Sequence, residues 1–210
     1  MEGVRRLVLF AVGNPGAMNR HSAGHYMLSH LASSSGLEIG DGNNYYSVGH
    51  SDELSLVKSL VYMNESGKAL GSYLRATPLD SDSDALVILY DDFEVNSGKV
   101  KISPMKSSES HNGLSSCLKT IKKLHIDTQN IFKLGIGIGP KPKNTNPLQM
   151  SSWVLARFQE QELANLDSTA LAMSLDYLQF IKSQPVKAVP EETSRLNKVF
   201  AKKFQKGLYK

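Results

Sequence analysis

The stretch NPGAMNRHSAGH, Asn14 to His25, places two imidazoles, His21 and His25, one helical turn apart. Such a pair can ligate a metal together, or one member can move a proton while the other fills space. A zincin needs H-E-x-x-H, with the glutamate as general base. This chain has H-S-A-G-H, with no carboxylate between the histidines and no obvious third ligand nearby. His25 and His30 therefore read as helix-surface or partly packed residues. His21 suits proton transfer better. At a helix N-terminus it faces the positive end of the dipole, which favours the neutral imidazole. A neutral imidazole takes a proton from water. A carboxylate on its other ring nitrogen fixes the tautomer and stabilises the imidazolium that forms. Asp91, at the end of an apolar run, is the candidate. The dipole and the carboxylate oppose each other, which suits a base working near neutral pH. The plain alternative is a histidine that caps a turn.

The elements that must position these residues follow from hydrophobic periodicity. Residues 5–12 read as a buried strand stopped by Gly-Asn-Pro-Gly. Residues 21–34 carry Ala23, Met27, Leu28 and Leu31 at helical spacing. Strands are expected at 45–48, 54–61, 85–90, 99–102 and 131–138. Helices are expected at about 64–75, 112–124, 160–181 and 193–204, with PKPKNTNP as a loop. Alternating strands and helices imply an α/β sheet covered on both faces. In such sheets, ligands gather at the carboxyl ends of strands. That rule selects Asn14 and His21 after the first strand, Asp91 and Asp92 after the most apolar one, and the helix-opening loop Ser108 to Gly113.

Composition sets the bounds. The chain has 210 residues, 40% hydrophobic and 21% charged, ordinary values for one globular domain. No apolar run approaches the roughly 20 residues of a membrane span. The N-terminal apolar run ends in a turn, not in a cleavage site, so no signal peptide is expected. The single cysteine, Cys117, excludes an internal disulfide and a cysteine-based zinc site, and reads as a core thiol in a reducing compartment. A net charge of +4 permits a polyanionic partner without requiring one. Gly135 to Gly139 fails the G-x-G-x-x-G pattern, and the sequon at Asn64 means little without a secretory signal. The tail NKVFAKKFQKGLYK can touch RNA phosphates or form an amphipathic helix with a solvated basic face.

Together these segments resemble the bacterial-type peptidyl-tRNA hydrolase family, from Leu7 to about Phe158. The resemblance rests on GNPG followed by R-H-x-x-G (13–24), YMNESGKAL (62–70), YDDFE (90–94), HNGL (111–114), GIGIG (135–139) and WVLARF (153–158), in the family's order. It implies one α/β domain over residues 1–210, with a mixed central sheet flanked by helices on both faces and a basic C-terminal helix at about 191–206. It also implies a monomer, no cofactor, no metal, and hydrolysis of the ester between a peptide and the 3′ ribose of tRNA. Carried over position by position, His21 is the general base, Asp91 orients it, and Asn14 lies beside them. Asn64 and Asn112 present carboxamides to the substrate, and Met63 and His111 line the cleft. Lys101, Lys106, Lys119 and Lys133 are expected to hold tRNA phosphates, making binding salt-sensitive.

This chain also departs from the family pattern. The link between NPG and His21 is short and lacks the usual tyrosine. Ser22 replaces an asparagine, and the Gly-rich approach to HNG has become Ser-Ser-Glu-Ser. One phosphate-binding arginine is lost and its lysine partner falls on Ser103. The pattern fits a diverged, eukaryotic or organellar member, cytoplasmic or mitochondrial. Two rivals stay open: an RNA-binding homologue weakened in turnover, and a metal-dependent hydrolase using His21 and His25.

Overall fold

A computed structural model describes residues 4–16, 18–40, 42–107, 109–185 and 188–209. Three segments singled out above contain positions outside them: Ala17 in the link before His21, Ser108 before HNG, and Lys210 at the end of the basic tail. The strands are β1 (Arg6–Ala11), β2 (Tyr46–His50), β3 (Leu54–Ser59), β4 (Asp84–Asn96), β5 (Val100–Pro104) and β6 (Ile131–Gly139). They form one sheet in the order β2-β3-β1-β4-β6-β5. The central pairs β3-β1, β1-β4 and β4-β6 are parallel, while β2 and β5 run antiparallel at the edges. The sheet is therefore mixed, as expected.

Residue alternation along β1 assigns the two faces. Leu7, Leu9 and Ala11 enter one core together with Met27, Leu28 and Leu31 of α1 (Ala23–Ser35). Val8, Phe10 and Val12 enter the other, with Leu70 and Leu74 of α2 (Ser66–Ala76) and Leu114, Cys117 and Ile121 of α3 (Asn112–Lys123). The chain leaves β1 for β3 on one side and returns to β4 on the other. This order reversal opens a crevice at the carboxyl ends of β1 and β4. His21 follows the first of these strands and Asp91 lies in the second.

One helix escaped the sequence reading. Residues 147–155 form α4 (Pro147–Leu155), where only a loop and a motif were expected. Its signal was present: Asn146 caps Gln149, Gln149 bonds back to Asn146, and Pro147 opens the first turn. The long helix expected over 160–181 is α5 (Glu160–Asn165), a π-turn at Leu166–Ala170, and α6 (Leu171–Ser183). The last helix, α7 (Val189–Gln205), starts earlier than expected and packs Leu196 and Phe200 on the first core. Its Asn197 bonds the outer edge of β5 twice. Oδ1 accepts from Ile102 N at 3.1 Å, and Nδ2 donates to Ile102 O at 2.7 Å.

Candidate active site

Asp91 is 1% exposed and lies in β4, between the segments that enter from the two faces of the sheet. From the α1 side comes His21, in the turn Arg20–Ser22, with Nδ1 2.8 Å from Asp91 Oδ2. From the α3 side comes His111, the N-cap of that helix, with Nε2 3.0 Å from Asp91 Oδ1. The two rings stand edge to face, 5.9 Å apart. The hydrogen-bond pattern assigns their protons. Leu114 N donates to His111 Nδ1 at 3.4 Å, so His111 carries its proton on Nε2 and gives it to Asp91. His21 donates from Nδ1, which leaves its Nε2 as a free acceptor. Burial alone would raise the Asp91 pKa. Attraction to His111 and hydrogen bonds from both imidazoles outweigh it, and hold the carboxyl well below the usual carboxylate range.

Asp92, the neighbouring candidate, has a different task. Its carboxylate accepts from Tyr90 OH and from Glu94 N, both at 3.0 Å. Burial and the adjacent Asp92 push the Tyr90 hydroxyl far above its ordinary pKa, so it stays a donor. Gly135 makes room for this pair, because a Cβ there would lie 2.7 Å from Asp92 Oδ2. Of the glycines in GIGIG, Gly135 is thus a spacer beneath the site, while Gly137 and Gly139 make room for the backbone at Asn96 and Phe93.

The short link is held by Arg20. Its guanidinium forms a two-pronged pair with Glu162, at 2.8 and 3.0 Å, donates to Trp153 O at 3.1 Å, and stacks over the Trp153 ring. Such a fork fixes geometry as well as charge. Ser22 Oγ then bonds both Asn14 O at 3.2 Å and Asn19 Oδ1 at 3.0 Å. So α4 and α5 brace the turn that carries His21. Asn14 Oδ1 accepts from Met63 N at 3.1 Å, which leaves the Asn14 Nδ2 protons to point elsewhere.

Several expected roles change. Met63 does not line an open cleft. It is 3% exposed, packed where a Gly113 Cβ would strike its sulfur, and it serves the site through its backbone N–H. Asn64 and Asn112 are exposed, and their side chains make no hydrogen bond among the described residues. Lys101 and Lys106 are exposed on the rim of a cavity of about 740 Å³ that starts at Asp91 and His111. Lys119 is exposed on α3 and does not line that cavity. Lys133 departs furthest from an open phosphate contact: it is buried, and its ammonium pairs with Glu109. Cys117 is buried as expected, with its thiol pKa pushed up by burial.

His25 is not a surface residue. It is 5% exposed, with its ring against Gly13, where a Cβ would lie 2.8 Å away. Among the described residues, the group with metal-ligating spacing is His21, Asp91 and His111, their ligand atoms within 4.8 Å of one another. The mutual hydrogen bonds of these three groups account for that spacing without an ion. Burial, and secondarily the charge of Lys58, lower the His25 pKa to about 4, against a weaker opposing bond to the Ala11 backbone. The unfolded chain, with an ordinary histidine pKa, binds more protons between these values. Stability from this group is therefore full above the ordinary pKa and lost as pH falls towards 4. Going from pH 7 to pH 5 should cost about 2 kcal/mol. Urea unfolding of wild type and His25→Gln at both pH values checks this, and equal pH slopes would refute it.

A mixed α/β sheet with an imidazole–carboxylate–imidazole cluster at its switch point defines the class by fold and site geometry. Residues 8–203 match the sequence profile of the peptidyl-tRNA hydrolase family, and the chain belongs to that family. A peptidyl-tRNA hydrolase of Exiguobacterium sp. is 30% identical over 168 residues, 77% of this chain and 85% of that one. A probable peptidyl-tRNA hydrolase of Schizosaccharomyces pombe is 32% identical over 170 residues, 77% of this chain and 76% of that one. The fold is shared with the crystal structure of peptidyl-tRNA hydrolase from Acinetobacter baumannii, with a TM-score of 0.73 at 23% identity, over 94% of this chain and 97% of that one. The chain is accordingly a hydrolase of the peptidyl-tRNA ester bond. Among the described residues, no helix is long and apolar enough to cross a membrane.

Proposed function

We propose that the cluster performs this hydrolysis with His21 as general base. The observation that carries the reading is the free Nε2 of His21, left as an acceptor because Nδ1 is committed to Asp91 at 2.8 Å. Water gives its proton to Nε2 and attacks the ester carbonyl. Asn14 Nδ2, aimed by the Met63 N–H, bonds the developing oxyanion, a contact worth roughly 3 kcal/mol in comparable sites. The exposed carboxamides of Asn64 and Asn112 hold the peptide and the ribose. The imidazolium, stabilised by Asp91, returns the proton to the departing 3′ hydroxyl. His111 acts through Asp91, as a positioning residue. Lys101 and Lys106 meet phosphates of the acceptor end. The protein works as a monomer, in the cytoplasm or in an organelle that translates.

The purified protein is expected to release peptide from an N-blocked peptidyl-tRNA, with a rate that survives a chelator. Asn14→Asp keeps the acceptor for Met63 N and loses the donor, and should lower kcat by roughly a hundredfold or more. A wild-type protein that binds tRNA and never cleaves the ester defeats the enzyme reading. A rate abolished by the chelator revives the metal-dependent one.

A further inference from the structure

Lys133 lies on the face of β6 that looks towards α3, level with Ile88 of β4 and Ser103 of β5. Its side chain is 8% exposed, that of its partner Glu109 5%. Taking both charges out of water is costly, and removing one partner leaves the other uncompensated. The second carboxylate oxygen of Glu109 accepts from Lys106 N at 3.1 Å. Glu109 thus ties the loop between Pro104 and His111 to the cavity floor. Its two oxygens meet an ammonium and a backbone N–H, with the exposed side chains of Lys101 and Lys106 at the rim. These are the donors that a phosphate recruits. Yet the cavity is not cationic as it stands, because Lys101, Lys106 and Lys133 share it with Asp91, Asp92, Glu94 and Glu109.

We propose that Glu109 is an internal stand-in for a substrate phosphate. It neutralises Lys133 in the free protein, and a tRNA phosphate takes its place on Lys133 when the acceptor end enters the cavity. The inference rests on the proposed function. It makes Glu109 a residue that determines specificity: a ligand without a phosphate at the right distance from its ester does not displace it. The exchange also reaches the catalytic cluster. His111 follows Glu109 by two residues and holds Asp91, so release of the loop and setting of the carboxylate occur on one segment.

The test uses the near-isosteric Glu109→Gln and deacylated tRNA as the probe, with folding checked by thermal unfolding. In wild type, the carboxylate freed from Lys133 recaptures a cation, so this contact adds little to counterion release. In Glu109→Gln the competitor is gone. Binding should tighten by roughly tenfold. The slope of log affinity against log salt should steepen by about 0.7 to 0.9, one additional phosphate. Glu109→Gln/Lys133→Met, which carries neither charge, should lose both gains. Unchanged or weaker binding in Glu109→Gln, or full retention of the gain in the double variant, overturns the exchange and leaves the pair a brace for the loop. Peptide release by wild type is measured in parallel. If wild type cleaves but Glu109→Gln gains nothing, only the exchange fails. If wild type neither cleaves nor binds tRNA, the functional reading falls and the exchange falls with it.

Discussion

Asp91→Asn is expected to lower kcat by roughly a thousandfold to ten-thousandfold, with tRNA affinity largely kept. The reason lies in His111. Leu114 N points at His111 Nδ1, so the His111 proton sits on Nε2 and faces position 91. A carboxamide there must turn its oxygen to His111. Its NH2 then faces His21 Nδ1, and His21 is driven into the tautomer with its proton on Nε2. That imidazole cannot accept a proton from water. His21→Ala should fall as far, because both variants lose one unit of function. The double variant Asp91→Asn/His111→Ala carries the sharper test. Without His111 the amide is free to turn its oxygen towards His21, so the double variant should exceed Asp91→Asn in single-turnover peptide release. A wild-type kcat in Asp91→Asn with weakened binding would assign Asp91 to substrate contact instead.

Gly24→Ala should be the most damaging change outside the cluster. A Cβ at this position would lie 2.5 Å from Val12 O and 2.6 Å from Leu89 O. The carbonyls have little room to retreat, since Leu89 lies inside β4 with its O accepting from Val12 N at 3.0 Å, and Val12 directly follows β1. The first turn of α1 must lift away, and the preceding turn carries His21. A loss of about 3 kcal/mol or more is expected, enough to unfold a marginal chain. Gly40→Ala is the control, since nothing lies within 4 Å of its Cβ. It should stay within about 0.5 kcal/mol of wild type. Denaturant unfolding compares the two. Equal midpoints would mean that the helix seats without this close approach.

Much of the scaffold was legible because its elements are strongly periodic. The apolar runs of β1, β4 and β6 and the spacing of Met27, Leu28 and Leu31 each admit one interpretation. The meeting of His21 with Asp91 was legible from residue type and position at strand ends. The meeting of His111 with Asp91 was not. It depends on α1 and α3 lying on opposite faces of the sheet, which no local pattern records. His25 read as a surface or partly packed residue because its burial is set by Gly13, twelve positions earlier. Lys133 read as an open cation because a charge in a strand usually faces water, and its partner Glu109 is 24 residues away. Helix α4 is obscured in the sequence because its capping box, Asn146 with Gln149, is embedded in the polar, proline-rich end of PKPKNTNP.

The carboxamide of Asn197 does for β5 what a neighbouring backbone would do, giving and taking one hydrogen bond at Ile102. An uncovered sheet margin invites strangers to pair with it. The C-terminal helix is therefore a guard on the solubility of the whole chain as well as a wall of the cavity. Shortening the protein at its basic end would be felt first as self-association, before any effect on chemistry.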